Sequence, residues 1–255
     1  MNQKLISFAR SLLCAAALVG LVAMTGCAGS EEKEDALLKD VTKAYETAQN
    51  AMQSQNYRRA IPIYEALQAR FPFSDLSKQI QLELMYAYYK SNRPEQAVDL
   101  ADQFMRENPI HPRVDYAFYI KALCYFEDDP GFLERWFNKE VDNRPPRDAA
   151  LSFSLLKQLV ERYPASIYAE DARQRMVFLK NRLARYENSV ARFYLERGAY
   201  VAALNRAKGS LEEHNGATGN RDSLSIMIEA YEGLGMDKLA ADTRLVLQSN
   251  FPGEG

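Results

Sequence analysis

The longest apolar run, Leu12 to Met24, follows Lys4 and Arg10 with no acid before it. It is too short for a comfortable bilayer span of about 20 residues and has the length of a secretory signal core. Residues 31–40 are then charged and lack an apolar stripe, which predicts a flexible tether. Beyond them the apolar residues recur at helical spacing. Leu82, Met85, Tyr86 and Tyr89 form one stripe, and Ala97, Leu100, Ala101, Phe104 and Met105 form the next, with the turn Asn92-Arg93-Pro94 between. The pattern predicts helical hairpins.

These hairpins repeat. A small residue stands 12 positions before a proline in Ala60 with Pro72, Ala97 with Pro109, Ser152 with Pro164 and Ala240 with Pro252, while Ala203 pairs with Asn215. Successive endpoints are 37, 55, 51 and 37 residues apart, so the two middle intervals carry 18 and 14 extra residues. A hairpin of this size, with small residues for close helix approach and a proline to stop the second helix, resembles the tetratricopeptide repeat. The expected fold is all-α, a superhelix of five tetratricopeptide-like hairpins with an insertion in the third. Ala48, Ala60, Ala97, Ala191 and Ala203 are expected to be packing positions.

The insertion runs from about Glu127 to Arg147 and holds Phe132, Leu133, Trp136 and Phe137 before the breaker Arg144-Pro145-Pro146-Arg147. Its acidic start, Glu127-Asp128-Asp129, lacks the spacing of a calcium loop and reads as a solvated turn. The 14 extra residues before the fourth unit read as an extended first helix joining two halves of the superhelix.

Composition narrows the function. The 255 residues contain 32 Lys+Arg against 34 Asp+Glu, a net charge of -2, so no basic excess attracts nucleic acid. His111 and His214 are the only histidines, which leaves no His-rich metal site and few bases for a triad. Neither has convergent acids or ligands in the sequence, so an enzyme such as a cell-wall hydrolase is not expected, and no cofactor. Cys124 lies among Ala122, Leu123, Tyr125 and Phe126 and reads as a small packed hydrophobe.

Met24-Thr25-Gly26-Cys27 resembles the lipobox of bacterial lipoproteins, against the plainer reading of a secretory signal with an incidental cysteine. The resemblance implies cleavage after residue 26, acylation of Cys27 and, with Ala28 following, delivery to the outer membrane facing the periplasm. Loss of Lys4 and Arg10 would shift the net charge from -2 to -4. The expected organisation is a signal over 1–26, a lipidated tether over 27–40 and the repeats over 41–255, divided at 164/165.

In the tetratricopeptide pattern the groove-facing positions of the first three units, starting at 41, 78 and 115, include Tyr45, Gln49, Met52, Leu82, Tyr86, Tyr89, Lys90, Tyr116, Tyr119, Leu123 and Phe126. This half is aromatic, and its client-peptide candidates are Tyr45, Tyr86, Tyr89, Tyr116, Tyr119 and Phe126. Some of these rings are expected to complete helix packing, but aromatics in a concave face suit extended peptides with apolar side chains. In units starting at 184 and 221 the same positions are Arg185, Asn188, Arg192, Glu196, Asp222, Ser225, Glu229 and Glu232. That half is charged.

Longer stretches carry a more specific resemblance: Arg70-Phe71-Pro72-Phe73-Ser74, Gln81 to Lys90, Asn108-Pro109-Ile110-His111-Pro112, Arg175 to Glu187 and Glu196 to Arg206. With the lipobox and the interrupted third unit, they resemble the BamD family of lipoproteins of the outer-membrane β-barrel assembly machinery. The resemblance implies a non-enzymatic adaptor whose N-terminal repeats receive unfolded outer-membrane proteins. Its C-terminal repeats would dock on the membrane-proximal POTRA domain of BamA, with Arg197 and Arg206 as contact candidates. Accessory lipoproteins of the same machinery are further candidate partners. A periplasmic scaffold for cell division or pilus secretion shares the lipobox and repeats and is the competing class. Asn215 departs from the proline expected there, and Gly216 is expected to end that helix instead.

Overall fold

The computed structural model describes residues 28–126 and 146–252, with side chains described from residue 39. The described residues form ten helices and no strand. They are α1 (Ala28–Gln53), α2 (Tyr57–Arg70), α3 (Asp75–Lys90), α4 (Pro94–Glu107), α5 (Val114–Cys124), α6 (Arg147–Arg162), α7 (Ala169–Leu195), α8 (Tyr200–Glu213), α9 (Asn220–Gly233) and α10 (Asp237–Asn250). The chain divides into two compact units between Ile80 and Gln81, inside α3.

Four turns between helices have one local solution. Gln55, Asn92, Gly198 and Gly235 adopt left-handed backbone with φ of 57°, 60°, 68° and 70°. In each turn the next residue donates its N–H five residues back: Asn56 to Ala51, Arg93 to Tyr88, Ala199 to Tyr194 and Met236 to Tyr231. The left-handed residue itself donates three residues back, so each first helix closes in a Schellman motif that satisfies two carbonyls. Gln55 to Asn92 and Gly198 to Gly235 each span the 37-residue period of the sequence. Glycine makes the left-handed geometry free of Cβ strain at two of the four positions.

In the first unit α1 packs on α2. The Asn56 side chain caps α2 by accepting from Arg59 N–H at 3.3 Å, and Ala60, Ile61, Tyr64 and Leu67 form its buried face. The backbone of residues 28–40, expected as a flexible tether, is helical and continuous with the packed part of α1. That segment has no proline and is rich in Glu, Lys, Ala and Leu, which favour helix even without an apolar stripe.

In the second unit α5 lies against both α4 and α6. This double contact explains why α5 buries Val114, Ala117, Phe118, Ile120, Ala122 and Leu123 around most of its circumference. α6 begins at Arg147 behind Pro146, and its Ser152 hydroxyl donates to Ala122 O at 2.9 Å. The insertion reading for 127–145 lies outside the described residues. α7 is a single 27-residue helix that packs on α6, α8 and α9, in agreement with the expected extended first helix.

The recurrent small residues are all packed inside: Ala60, Ala97, Ser152 and Ala203 are 0% exposed and Ala240 is 1%. Ala191, Ala203, Ala207, Ile226 and Ala230 form one buried cluster where α7, α8 and α9 meet. A similar close approach explains Gly233, where an added Cβ would lie 2.4 Å from the Tyr200 ring.

The α8–α9 turn lacks a proline and is held differently. α8 ends at Glu213, and Gly216 takes φ +78° within the turn rather than at the helix end. Three polar side chains of α7 bind this turn: Lys180 donates to Asn215 O at 2.9 Å, Asn181 accepts from Thr218 N–H at 2.9 Å, and Asn188 donates to Gly219 O at 2.8 Å. Ser223 donates to Asn188 at 2.7 Å, so a buried amide joins α7 to α9. Asn188, placed in the groove by position counting, is instead 3% exposed, and Leu82 is 2%. Backbone groups of the turn need a buried polar partner, and the core needs the leucine.

Candidate functional site: an aromatic face on α5 and α7

Five of the six aromatic candidates, Tyr86, Tyr89, Tyr116, Tyr119 and Phe126, lie in the second unit and are half-buried. Tyr45 belongs to the first unit, where its ring is 5.9 Å from that of the buried Tyr64. It completes helix packing there. On α3, the Tyr86 and Tyr89 rings lie 6.4 Å apart and tilted.

The rings of α5 meet a second row on α7 that position counting missed. Tyr168 precedes α7, and Asp171, Arg175 and Phe178 follow on one face at intervals of three, four and three residues. Tyr119 stacks on Tyr168 with centroids 4.7 Å apart and planes 17° apart, and Tyr116 lies 5.5 Å from the same ring. The Phe126 ring is 5.6 Å from Phe178. Three cations lie over rings of the candidate set, Arg113 at 4.8 Å from the Tyr116 centroid, Arg175 at 4.7 Å from Phe126 and Lys90 at 6.0 Å from Tyr89.

Asp171 joins the two rows. Its Oδ2 accepts from the Tyr119 hydroxyl at 2.5 Å and from Arg175 Nε at 2.5 Å. Burial acts to raise the Asp171 pKa, but the hydrogen bonds from Arg175 and Tyr119 outweigh it and hold the carboxyl below its ordinary range. The arrangement is therefore complete at neutral pH and is lost only as pH falls through that depressed value. Burial, followed by the Asp171 hydrogen bond, pushes the Tyr119 hydroxyl up to about 12, so it remains a donor. Burial also raises Tyr116, with Tyr168 and Glu83 adding to the effect and Arg113 opposing it. The result is a set of rigid rings with defined orientations, flanked by guanidinium groups.

Of the eight C-terminal positions only Asn188 is buried; Arg185, Arg192, Glu196, Asp222, Glu229 and Glu232 carry the charge, and Ser225 is neutral. Arg192 pairs with Asp222 across α7 and α9, and Arg244 of α10 pairs with Glu232. Arg192, Leu195, Glu196, Tyr200, Glu229 and Gly233 line a cleft of about 390 Å³. Arg206 lies on α8 with Ala203 and Ala207 buried on the inward side, and its Nη1 is 3.0 and 3.4 Å from the Glu187 carboxylate oxygens. The Arg197 guanidinium lies 3.4 Å from the Phe193 ring centroid and donates to Phe193 O at 3.2 Å. Both arginines are exposed yet held in place.

The remaining chemical candidates are packed. Cys124 is half-buried, which pushes its thiol up to about 11 and leaves little thiolate at neutral pH. His111 accepts from Arg113 N–H at 3.1 Å, and its ring meets Phe104 edge-on at 5.1 Å. His214 is buried, which lowers its pKa. Among the described residues no group of three or more His, Cys, Asp or Glu could hold a metal, and no helix is long and apolar enough to cross a membrane.

The ten helices among the described residues, with two pairs of like turns each 37 residues apart, define a helical-repeat protein. A family model described as "YfiO: Outer membrane lipoprotein" matches residues 38–247. This chain belongs to that family, which includes the outer membrane protein assembly factors BamD. The BamD of Neisseria meningitidis serogroup A is 40% identical over 235 residues, covering 91% of this chain and 88% of its own length. The Vibrio cholerae BamD is 38% identical over 238 residues, covering 91% of this chain and 97% of its own length. Among solved structures, a Podospora kinesin light chain protein with TPR-like repeats is similar at 17% identity, covering 82% of this chain and 93% of that chain, with a TM-score of 0.35. At that score the likeness carries no weight.

Proposed function

We propose that this chain is an outer-membrane protein assembly factor, a non-enzymatic adaptor that binds unfolded β-barrel clients and docks on BamA to promote their folding and insertion. Acylation at Cys27 anchors it to the outer membrane, facing the periplasm. The observation that carries the client-binding reading is the aromatic face of the second unit, where half-buried rings present rigid apolar area at low entropic cost. A net charge near zero suits unfolded polypeptide rather than nucleic acid.

Replacing Tyr86 and Tyr89 with Ala should weaken binding of a peptide from the C-terminus of an outer-membrane protein by about 1 to 2 kcal/mol for each ring. Isothermal titration with the folded double variant tests this, with melting temperature measured alongside. Unchanged affinity removes both tyrosines from the site.

Docking on BamA belongs to the charged half, at Arg197 and Arg206. Phe193 orients the Arg197 guanidinium for a partner carboxylate, and Arg206, paired with Glu187 in the chain alone, would exchange that carboxylate for one of BamA. Charge reversal of either to Glu should lower affinity for the isolated POTRA region of BamA by about tenfold, roughly 1.4 kcal/mol. Arg93→Glu, in the α3–α4 turn, serves as the control. Equal losses at all three positions would refute this placement.

A further inference from the structure

Asp171 is an unusual component of an aromatic face. Its side chain is 44% exposed and that of Arg175 is 29%, so their ion pair lies at the surface rather than in a core that needs it. A surface ion pair of this kind adds little to stability. The geometry suggests another role. One oxygen, Oδ2, receives both the Tyr119 hydroxyl and Arg175 Nε at 2.5 Å. The first bond fixes the ring that stacks on Tyr168, and the second fixes the guanidinium lying over Phe126. The same carboxylate also cancels the charge of Arg175, the cation between the Tyr119–Tyr168 stack and the Phe126–Phe178 pair. Without it, that part of the face would present an uncompensated guanidinium to any incoming chain.

We propose that Asp171 is a positioning and specificity-determining residue of the client face, selecting extended peptides with aromatic and uncharged side chains over peptides carrying carboxylates. This rests on the reading of the face as a client site. The discrimination combines attraction to the fixed rings with neutralisation of Arg175 beside Phe126; Arg113, over Tyr116, is common to wild type and every variant, so the effect of Asp171 is a difference between two affinities.

The test uses the full-length chain in detergent and two synthetic peptides of equal length. One contains Phe, Tyr, Ser and Gly only, and the other has two Ser replaced by Glu. Wild type should prefer the uncharged peptide. Asp171→Asn keeps the shape and an acceptor for Tyr119 but leaves Arg175 unpaired, so the preference should fall by about tenfold through tighter binding of the acidic peptide. That gain should shrink as salt is raised from about 50 to 300 mM. Arg175→Gln should act in the opposite sense, because it leaves the Asp171 carboxylate bare and strengthens rejection of the acidic peptide. Asp171→Asn with Arg175→Gln should restore the wild-type preference.

A preference unchanged within about twofold in both single variants overturns the proposal, as does an equal loss for both peptides, the signature of a simple α5–α7 staple. If wild type binds neither peptide, the client-site reading fails and this inference fails with it. Binding by wild type with no variant-dependent change in preference overturns the role of Asp171 alone.

Discussion

Replacing Cys27 with Ala should abolish stable attachment to the outer membrane, leaving the protein in the soluble periplasmic fraction or unprocessed. The expectation rests on the length of apolar chain involved. A single acyl chain gives an association constant of only about 10⁴ M⁻¹, whereas two or more, each CH₂ contributing about 0.8 kcal/mol, hold a protein durably. Among the described residues no helix is long and apolar enough to cross a membrane. Fractionation of cells followed by mass spectrometry of the N-terminal peptide checks this. Normal outer-membrane recovery of the Ala variant would remove Cys27 as the anchor and favour the plainer secretory reading of Met24-Thr25-Gly26-Cys27.

The repeat was legible in the sequence because its signals are local and obligatory. A small residue must stand where two helices touch, and all five such positions are buried. A residue with access to left-handed backbone must follow the first helix, and Asn92, Gly198 and Gly235 are suitable types. The aromatic half of the surface was legible in part for the same reason, since Tyr116, Tyr119 and Phe126 fall in register. Their partners Tyr168, Asp171, Arg175 and Phe178 were not, because they lie in the 14 residues that interrupt the period and position counting assigned them no place. Their spacing of three, four and three was itself visible. Asn188 failed for the opposite reason: it falls in register, but the proline-free α8–α9 turn draws its amide inward to Gly219 O and Ser223. Counting positions treats each repeat as standard, so it fails where one repeat compensates for a departure in the next.

Phe104→Ala should lower the unfolding free energy by about 3 to 5 kcal/mol, the usual cost of emptying a fully buried aromatic site. Phe104 is 0% exposed on the inward face of α4 with Ala97, Leu100 and Ala101, and its ring meets His111 edge-on at 5.1 Å. Phe73, by contrast, is 99% exposed in the turn after Pro72, and its replacement by Ala should change stability by no more than about 0.5 kcal/mol. The same substitution thus has a large expected effect at one phenylalanine and almost none at another 31 residues away in the sequence, and burial separates them. Because a repeat array is stabilised by contacts between neighbours, the loss should begin where α4 packs on α5, while α8 to α10 retain their own contacts. Urea unfolding of both variants gives the two free energies, and hydrogen exchange reads where protection is lost. A uniform loss of protection across all helices would show that the array unfolds as one cooperative body, and a small loss at Phe104 would mean that α4 and α5 collapse to fill the space.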